Sequence, residues 1–174
     1  MTRHARLVRM GGTAAILAGV MRAVASLPLD AGDAERQLLY FVIDFLLLLG
    51  VMAVYAQNHQ KLGFWGAAGF LITVAGILLV RSSRAIPGFD VYPAGALAVV
   101  SGWVLLSATT WKWAHGSAFV PLLFAISAVI GFVGQLTTRP AAASLVAGIV
   151  FGAAMIGVGR FTTRPAKRCP SVPT

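Results

Sequence analysis

Residues 38–50 read LLYFVIDFLLLLG, an almost unbroken apolar run with one carboxylate, Asp44, near its centre. A bilayer core is about 30 Å thick and a helix rises about 1.5 Å per residue, so about 20 apolar residues cross it. The apolar character extends over residues 38–56, which is long enough. This stretch therefore predicts a transmembrane helix, and it raises the question of what accompanies Asp44.

The composition of the whole chain is typical of a membrane protein. Of its 174 residues, 58% are hydrophobic and 11% are charged, whereas about a quarter of the residues of a soluble domain are charged. The formal net charge is +9, but the basic residues flank apolar runs instead of gathering on one polar segment. This pattern argues against nucleic acid as a partner and favours anionic lipid headgroups as the counterions.

Apolar runs of the required length occur six times along the chain. The loops between them are too short to hold a second domain, and the alternating pattern of a membrane β-barrel is absent. We therefore predict an all-α, polytopic membrane protein, a six-transmembrane-helix bundle that forms a single domain over residues 1–174. The spans are predicted near residues 9–27, 38–56, 62–80, 91–110, 117–136 and 141–159, and a basic cytoplasmic tail is predicted over residues 160–174.

Lys and Arg predict the orientation, because short loops rich in these residues stay on the cytoplasmic side. With six spans both termini share a side, and placing them inside puts more basic residues in the cytoplasm than outside. We predict cytoplasmic termini in a plasma membrane, such as a bacterial inner membrane, with anionic headgroups at the basic inner face. The basic residues expected inside are Arg3, Arg6, Arg9, Lys61, Lys112, Arg160, Arg164, Lys167 and Arg168, against Arg36, Arg81, Arg84 and Arg139 outside.

Two charged residues fall inside predicted spans, Arg22 in the first and Asp44 in the second. These spans are joined by a short loop and run antiparallel, and helical rise places both charges about 8–9 Å below the outer boundary. A lone charge at a helix centre costs about 2.5–3.5 kcal/mol. We therefore predict that Arg22 pairs with Asp44, with Tyr40 one turn away as a hydrogen-bond partner.

The predicted pair allows two interpretations. In the structural one, it attaches a weakly hydrophobic first helix, rich in Ala and Gly, to the bundle. In the functional one, Arg22 or Asp44 binds an ion, a proton or an anionic substrate in a cavity open to the outside. The third loop would then supply the outer rim of that cavity, and otherwise it is a solvated loop. The candidate rim residues are Arg81, Arg84, Asp90 and Tyr92.

Small residues recur at a spacing of four in three of the spans. Lipid provides no hydrophobic drive between helices, so membrane helices associate where small side chains let their backbones approach. We expect these faces to pack within the chain, and contact between copies in a homo-oligomer is the alternative. They consist of Ala15, Gly19 and Ala23; of Ala94, Ala98 and Gly102; and of Ser144, Gly148 and Gly152.

The sequence lacks the residue patterns that enzymatic chemistry requires. Its single cysteine, Cys169, cannot form an internal disulfide, and no Cys/His cluster or HExxH motif is present to bind a metal. The spans contain no Ser/His pair or paired aspartates, and no glycine loop of the phosphate-binding kind. We therefore expect no enzymatic activity, no cofactor and no metal site.

Two classes of function remain. The first is a non-enzymatic structural or accessory protein that assembles with a membrane-protein partner or with itself through its small-residue faces. The alternative is a small transporter or channel with an outward-facing cavity that uses Arg22 and Asp44. A water-accessible path past these two residues would favour transport, and a pair sealed by apolar side chains would favour the first class.

Overall fold

A computed structural model describes residues 3–27, 32–82, 91–114, 119–135 and 140–163. All regular secondary structure in these ranges is helical, so the predicted all-α class is confirmed for the described part of the chain. The described helices are α1 (Arg3–Ala25), α2 (Asp33–Ser82), α3 (Tyr92–Ala114), α4 (Phe119–Gln135) and α5 (Pro140–Thr163).

The longest helix, α2, folds back on itself at Gly63. This residue has a φ of 56° and a ψ of −159°, a conformation that is essentially restricted to glycine. The rings of Tyr55 and Phe70 stack with their centroids 4.6 Å apart, although a straight helix would separate these residues by about 22 Å. We therefore divide α2 into a first arm, residues 33–62, and a second arm, residues 64–82, which lie side by side.

The folded α2 contains two of the six predicted spans. The predicted span near residues 38–56 lies in the first arm, and the one near residues 62–80 covers the turn and most of the second arm. Residues 57–61, which we expected to form a loop, are helical, because Gly63 alone reverses the chain direction.

Four helices, α1, α2, α3 and α5, are long and apolar enough to cross a membrane. The fifth, α4, is apolar but has only 17 residues. Helix length and composition therefore support membrane-crossing helices without establishing six spans. The six-span topology and the cytoplasmic termini remain predictions.

The helical segments pack in a ring around a filled interior. In order, the first arm packs on α1, α1 on α5, α5 on α4, α4 on α3, α3 on the second arm, and the second arm on the first. Inside the ring, Trp103 stacks on Phe124 with centroids 5.3 Å apart, and Phe124 meets Phe151 edge-on at 5.2 Å. Trp103 and Phe124 are fully buried. Aromatic side chains therefore occupy the interior where α3, α4 and α5 meet.

Backbone contacts at glycines hold two of these interfaces together. A Cβ atom on Gly19 of α1 would lie 2.5 Å from the carbonyl oxygen of Gly152 in α5. A Cβ atom on Gly76 of the second arm would lie 2.5 Å from the backbone nitrogen of Val99 in α3. Such close approach maximises van der Waals contact between helices that lipid does not drive together.

Large apolar side chains are exposed on the outside of every segment of the ring. Soluble monomers rarely expose contiguous apolar patches of more than a few hundred Å², whereas hydrocarbon contact favours such an exterior. The exterior is thus the one expected of a membrane protein. One example from each segment is Leu17, Phe45, Leu71, Leu97, Leu122 and Val146.

Candidate functional site

Asp44 lies between two arginines that come from the two neighbouring segments. Arg81, in the last turn of the second arm, places its Nε 3.9 Å from Oδ2 of Asp44, and its guanidinium carbon lies 5.0 Å from the centre of the Phe41 ring. Arg22, in the last turn of α1, lies 5.6 Å from the centre of the Tyr40 ring and interacts electrostatically with Asp44. We refer to these five residues as the charge cluster.

The direct ion pair of Asp44 is therefore with Arg81, whereas the sequence predicted Arg22. The difference arises from the reversal at Gly63, which brings the end of the second arm beside the first arm at the level of Asp44. Arg22 instead lies over the face of Tyr40, a cation–π contact, and no hydrogen bond from Tyr40 joins it. It remains near Asp44, so the predicted pair becomes a three-charge group.

The charge cluster lies near the end of the ring opposite Gly63. Asp44 precedes Leu62, at the end of the first arm, by about 27 Å of helix, which is close to the thickness of a bilayer core, about 30 Å. Arg22 and Arg81 occupy the last turns of their segments. If the Gly63 turn lies at one membrane boundary, the cluster lies near the other, where a charge costs much less than at the centre.

The charge cluster faces the outside of the ring, not its interior. The side chain of Arg81 is 41% exposed and that of Asp44 is 21% exposed, and the rings of Tyr40 and Phe41 are also exposed. On the same arm, the neighbouring Ile43 is buried in the interior. Asp44 thus lies at the edge of the buried face, where Arg81 reaches it from the periphery.

The interior contains a small cavity that is separate from the charge cluster. Its volume is about 20 Å³, enough for about one water molecule. Trp103, Ser107 and Thr110 of α3 contribute to its lining, and the indole N–H of Trp103 is buried without a hydrogen-bond acceptor. Val54 and Phe161 close it from the first arm and α5. No residue of the charge cluster lines this cavity.

The predicted outer rim is only partly within the described residues. Arg84 and Asp90 lie outside them. Tyr92 is exposed at the start of α3. Arg81 belongs to the charge cluster itself, and Phe41, which the sequence did not single out as a site residue, covers one face of its guanidinium group. The sequence signal for Phe41 is its position three residues before Asp44, on the same helical face.

Most of the small residues predicted to pack do lie at contacts between helices. The contacts of α1 with α5 and with the first arm account for the first and third sets, and those of α3 with the second arm account for the other. Two residues, Ala94 and Ser144, are exposed. The small residues at contacts are Ala15, Gly19, Ala23, Ala98, Gly102, Gly148 and Gly152.

No group of three or more His, Cys, Asp or Glu side chains that could bind a metal occurs among the described residues. Comparison with known protein families, with curated proteins and with solved structures finds no match to this chain. The class of the protein therefore comes from its fold, which is all-helical with four helices suited to crossing a membrane.

Exchanging charges tests which arginine pairs with Asp44. We expect Asp44→Arg alone to lower the thermal midpoint in detergent, because it places three guanidinium groups together. Adding Arg81→Asp should restore part of this loss, by up to about 1 kcal/mol, the range for exposed ion pairs. The matched control, Arg22→Asp in the same Asp44→Arg background, should restore less. A larger recovery with Arg22→Asp would contradict the assignment of Arg81 as the partner.

Proposed function

We propose that this chain is a non-enzymatic accessory or assembly protein of a plasma membrane. The observation that carries this proposal is the placement of the charge cluster on the periphery of a ring whose interior is filled. A group on the periphery is accessible to neighbouring molecules in the membrane, and a filled interior offers no water path across it.

Six spans with cytoplasmic termini are part of this proposal. Each arm of α2 is long enough for a crossing, and α4 extends about 26 Å, close to a bilayer core of about 30 Å. The hairpin turn carries exposed His59 and Lys61 on one side of Gly63 and exposed Phe64 and Trp65 on the other. Polar and aromatic residues of this kind suit a membrane interface, and the excess of basic residues on this side suits the cytoplasmic one.

The filled interior argues against transport as the main function. A carrier or channel needs a continuous hydrated path, at least transiently, with polar groups that replace the hydration shell of the substrate. Here Trp103 and Phe124 stack across the interior, and the cavity beside them has a volume of only about 20 Å³. The charge cluster is separate from that cavity, so its charges do not line a route through the ring.

The occupied glycine faces restrict where a partner would bind. The small-residue faces of α1, α5 and α3 are used within the chain, at the contacts of Gly19 with Gly152 and of Gly76 with Val99. Association with another subunit would therefore use the exposed large apolar side chains and the charge cluster. This differs from the expectation that small-residue faces mediate assembly.

A small transporter or channel is the second candidate. The observation that favours it is the unpaired indole N–H of Trp103, which lies among the hydroxyl-bearing residues that line the interior cavity. A buried donor without an acceptor is costly, and a passing polar species would satisfy it. Flux of protons or small anions into liposomes that contain the wild-type protein, but not into liposomes with Trp103→Phe, would support this candidate.

Native mass spectrometry of the protein, extracted gently from its own membranes, tests the accessory function. We expect a second polypeptide at a fixed stoichiometry. The matched control is Arg160→Gln, which removes an exposed charge from the last turn of α5 and should leave the complex intact. A bare monomer or a homo-oligomer, recovered from several mild detergents, would contradict the accessory function.

A further inference from the structure

The two arginines of the charge cluster have unused hydrogen-bonding capacity. The distance from Nε of Arg81 to Oδ2 of Asp44, 3.9 Å, is too long for a hydrogen bond. Each guanidinium group carries five N–H donors, and the structure records no hydrogen bond from Arg22 or Arg81 to any described residue. The cluster therefore presents many donors and few acceptors.

Aromatic rings fix the orientation of both guanidinium groups. Tyr40 lies against the face of Arg22, and Phe41 lies against the face of Arg81. Stacking covers the faces but leaves the N–H edges of the planar groups directed outward. An acceptor with several oxygens could therefore meet both edges without displacing either ring.

The charge of the cluster favours an anion. Two guanidinium groups and one carboxylate leave one net positive charge, on side chains that are partly exposed at one end of the ring. Phosphate matches the paired N–H edge of Arg in geometry and in charge. A single carboxylate in the cluster is not enough to neutralise both arginines.

The surface next to the cluster indicates the source of the phosphate. Phe45 follows Phe41 by one turn on the first arm, and Leu78 precedes Arg81 by one turn on the second. Both side chains are exposed, at 54% and 64%. An apolar strip thus leads away from the charged group towards the middle of the bundle, as an acyl chain attached to a headgroup would require.

We propose that Arg22 and Arg81 bind the phosphate of an anionic phospholipid, with an acyl chain lying along Phe45 and Leu78. Asp44 reduces the charge of the site, so the cluster is stable without lipid but still attracts an anion. This proposal rests on the membrane-spanning assignment of the proposed function. It does not depend on the accessory function, because a lipid site is compatible with a protein that has no subunit partner.

The test measures retention of phosphatidylglycerol by the purified full-length chain in detergent micelles, by native mass spectrometry, with phosphatidylcholine as the comparison lipid. Wild type should retain phosphatidylglycerol more strongly. In the Arg22→Gln, Arg81→Gln double variant, affinity should fall by about fivefold for each arginine removed, as for basic residues at an anionic surface. Arg160→Gln, at the other end of the ring, should bind as wild type does.

Asp44→Asn separates a binding role from a structural one. It removes the competing negative charge, so phosphatidylglycerol affinity should rise by about fivefold, even if the variant melts at a lower temperature. Because the double arginine variant could fail to fold, its circular dichroism is checked, and Arg81→Gln alone, at an exposed side chain, provides the second variant.

Equal retention of phosphatidylglycerol by wild type and by a folded Arg81→Gln variant would overturn the proposal, as would weaker binding by Asp44→Asn. Displacement of the lipid by an equal concentration of inorganic phosphate would assign the site to a soluble anion and would also overturn it. Lipid retention without a protein partner would contradict the accessory function alone, and a partner without lipid retention would contradict the lipid site alone.

Discussion

Gly76→Ala is expected to lower the free energy of unfolding by about 1–3 kcal/mol, the range for overpacking a tight interface, and more if the helices separate. The added Cβ would lie 2.5 Å from the backbone nitrogen of Val99, 2.9 Å from the carbonyl carbon of Ala98 and 2.9 Å from the carbonyl oxygen of Gly95. All three are backbone atoms, so no side chain can rotate away to make room. The second arm and α3 must move apart along their length.

The measurement for Gly76→Ala is unfolding of the purified protein in mixed micelles, followed by circular dichroism. Gly131→Ala is the matched control, because Gly131 also lies within a helix but its nearest neighbour to an added Cβ is Cβ of Ala147 at 3.8 Å. That control should be neutral or more stable by up to about 1 kcal/mol, since Ala favours helix over Gly. Equal stabilities for the two variants would contradict the close packing of α3 on the second arm.

Gly63→Ala is the second substitution with a large expected effect, a loss of about 1–3 kcal/mol from backbone strain. A Cβ at Gly63 would have no neighbour within 4 Å, so the loss cannot come from a clash with another residue. It comes from a φ of 56° combined with a ψ of −159°, which L-residues avoid. The reversal of α2 would therefore weaken although no contact is removed.

The mirror-image amino acid provides the control for Gly63→Ala. The observed angles are the mirror image of the polyproline II region, which L-residues adopt readily. D-Alanine at position 63, introduced by chemical ligation, should therefore be tolerated about as well as glycine. Thermal midpoints of the two alanine variants are compared in one detergent, and a D-alanine variant as unstable as the L-alanine variant would exclude the strain explanation.

The sequence predicted the helical class and the positions of the apolar segments because both follow from composition and run length. It predicted a break between residues 56 and 62, and the chain does reverse there, but at Gly63 and without a loop. Hydropathy does not report a φ angle. The polar residues 57–61 resemble a loop in composition, although their backbone groups are satisfied within the helix.

The partner of Asp44 could not be predicted from the sequence. Matching depths favoured Arg22, and they ignored which segments lie side by side. Arg81 was assigned to a rim because it follows the end of a predicted span by one residue. Its long side chain reaches back to the level of Asp44 once the two arms are adjacent, and Phe41 lies under it. Neither contact has a signature in spacing along the chain.

The distance between the two arms at the charged end is the most direct test of the folded-back α2, on which the ring and the charge cluster both depend. Spin labels are attached in a Phe45→Cys, Leu78→Cys variant that also carries Cys169→Ser, since both labelled side chains are exposed. Pulsed electron resonance in lipid should give a distance of about 10–20 Å, as for adjacent helices with labels on their surfaces. A distance of about 50 Å, the length of the intervening residues as one continuous helix, would contradict the account.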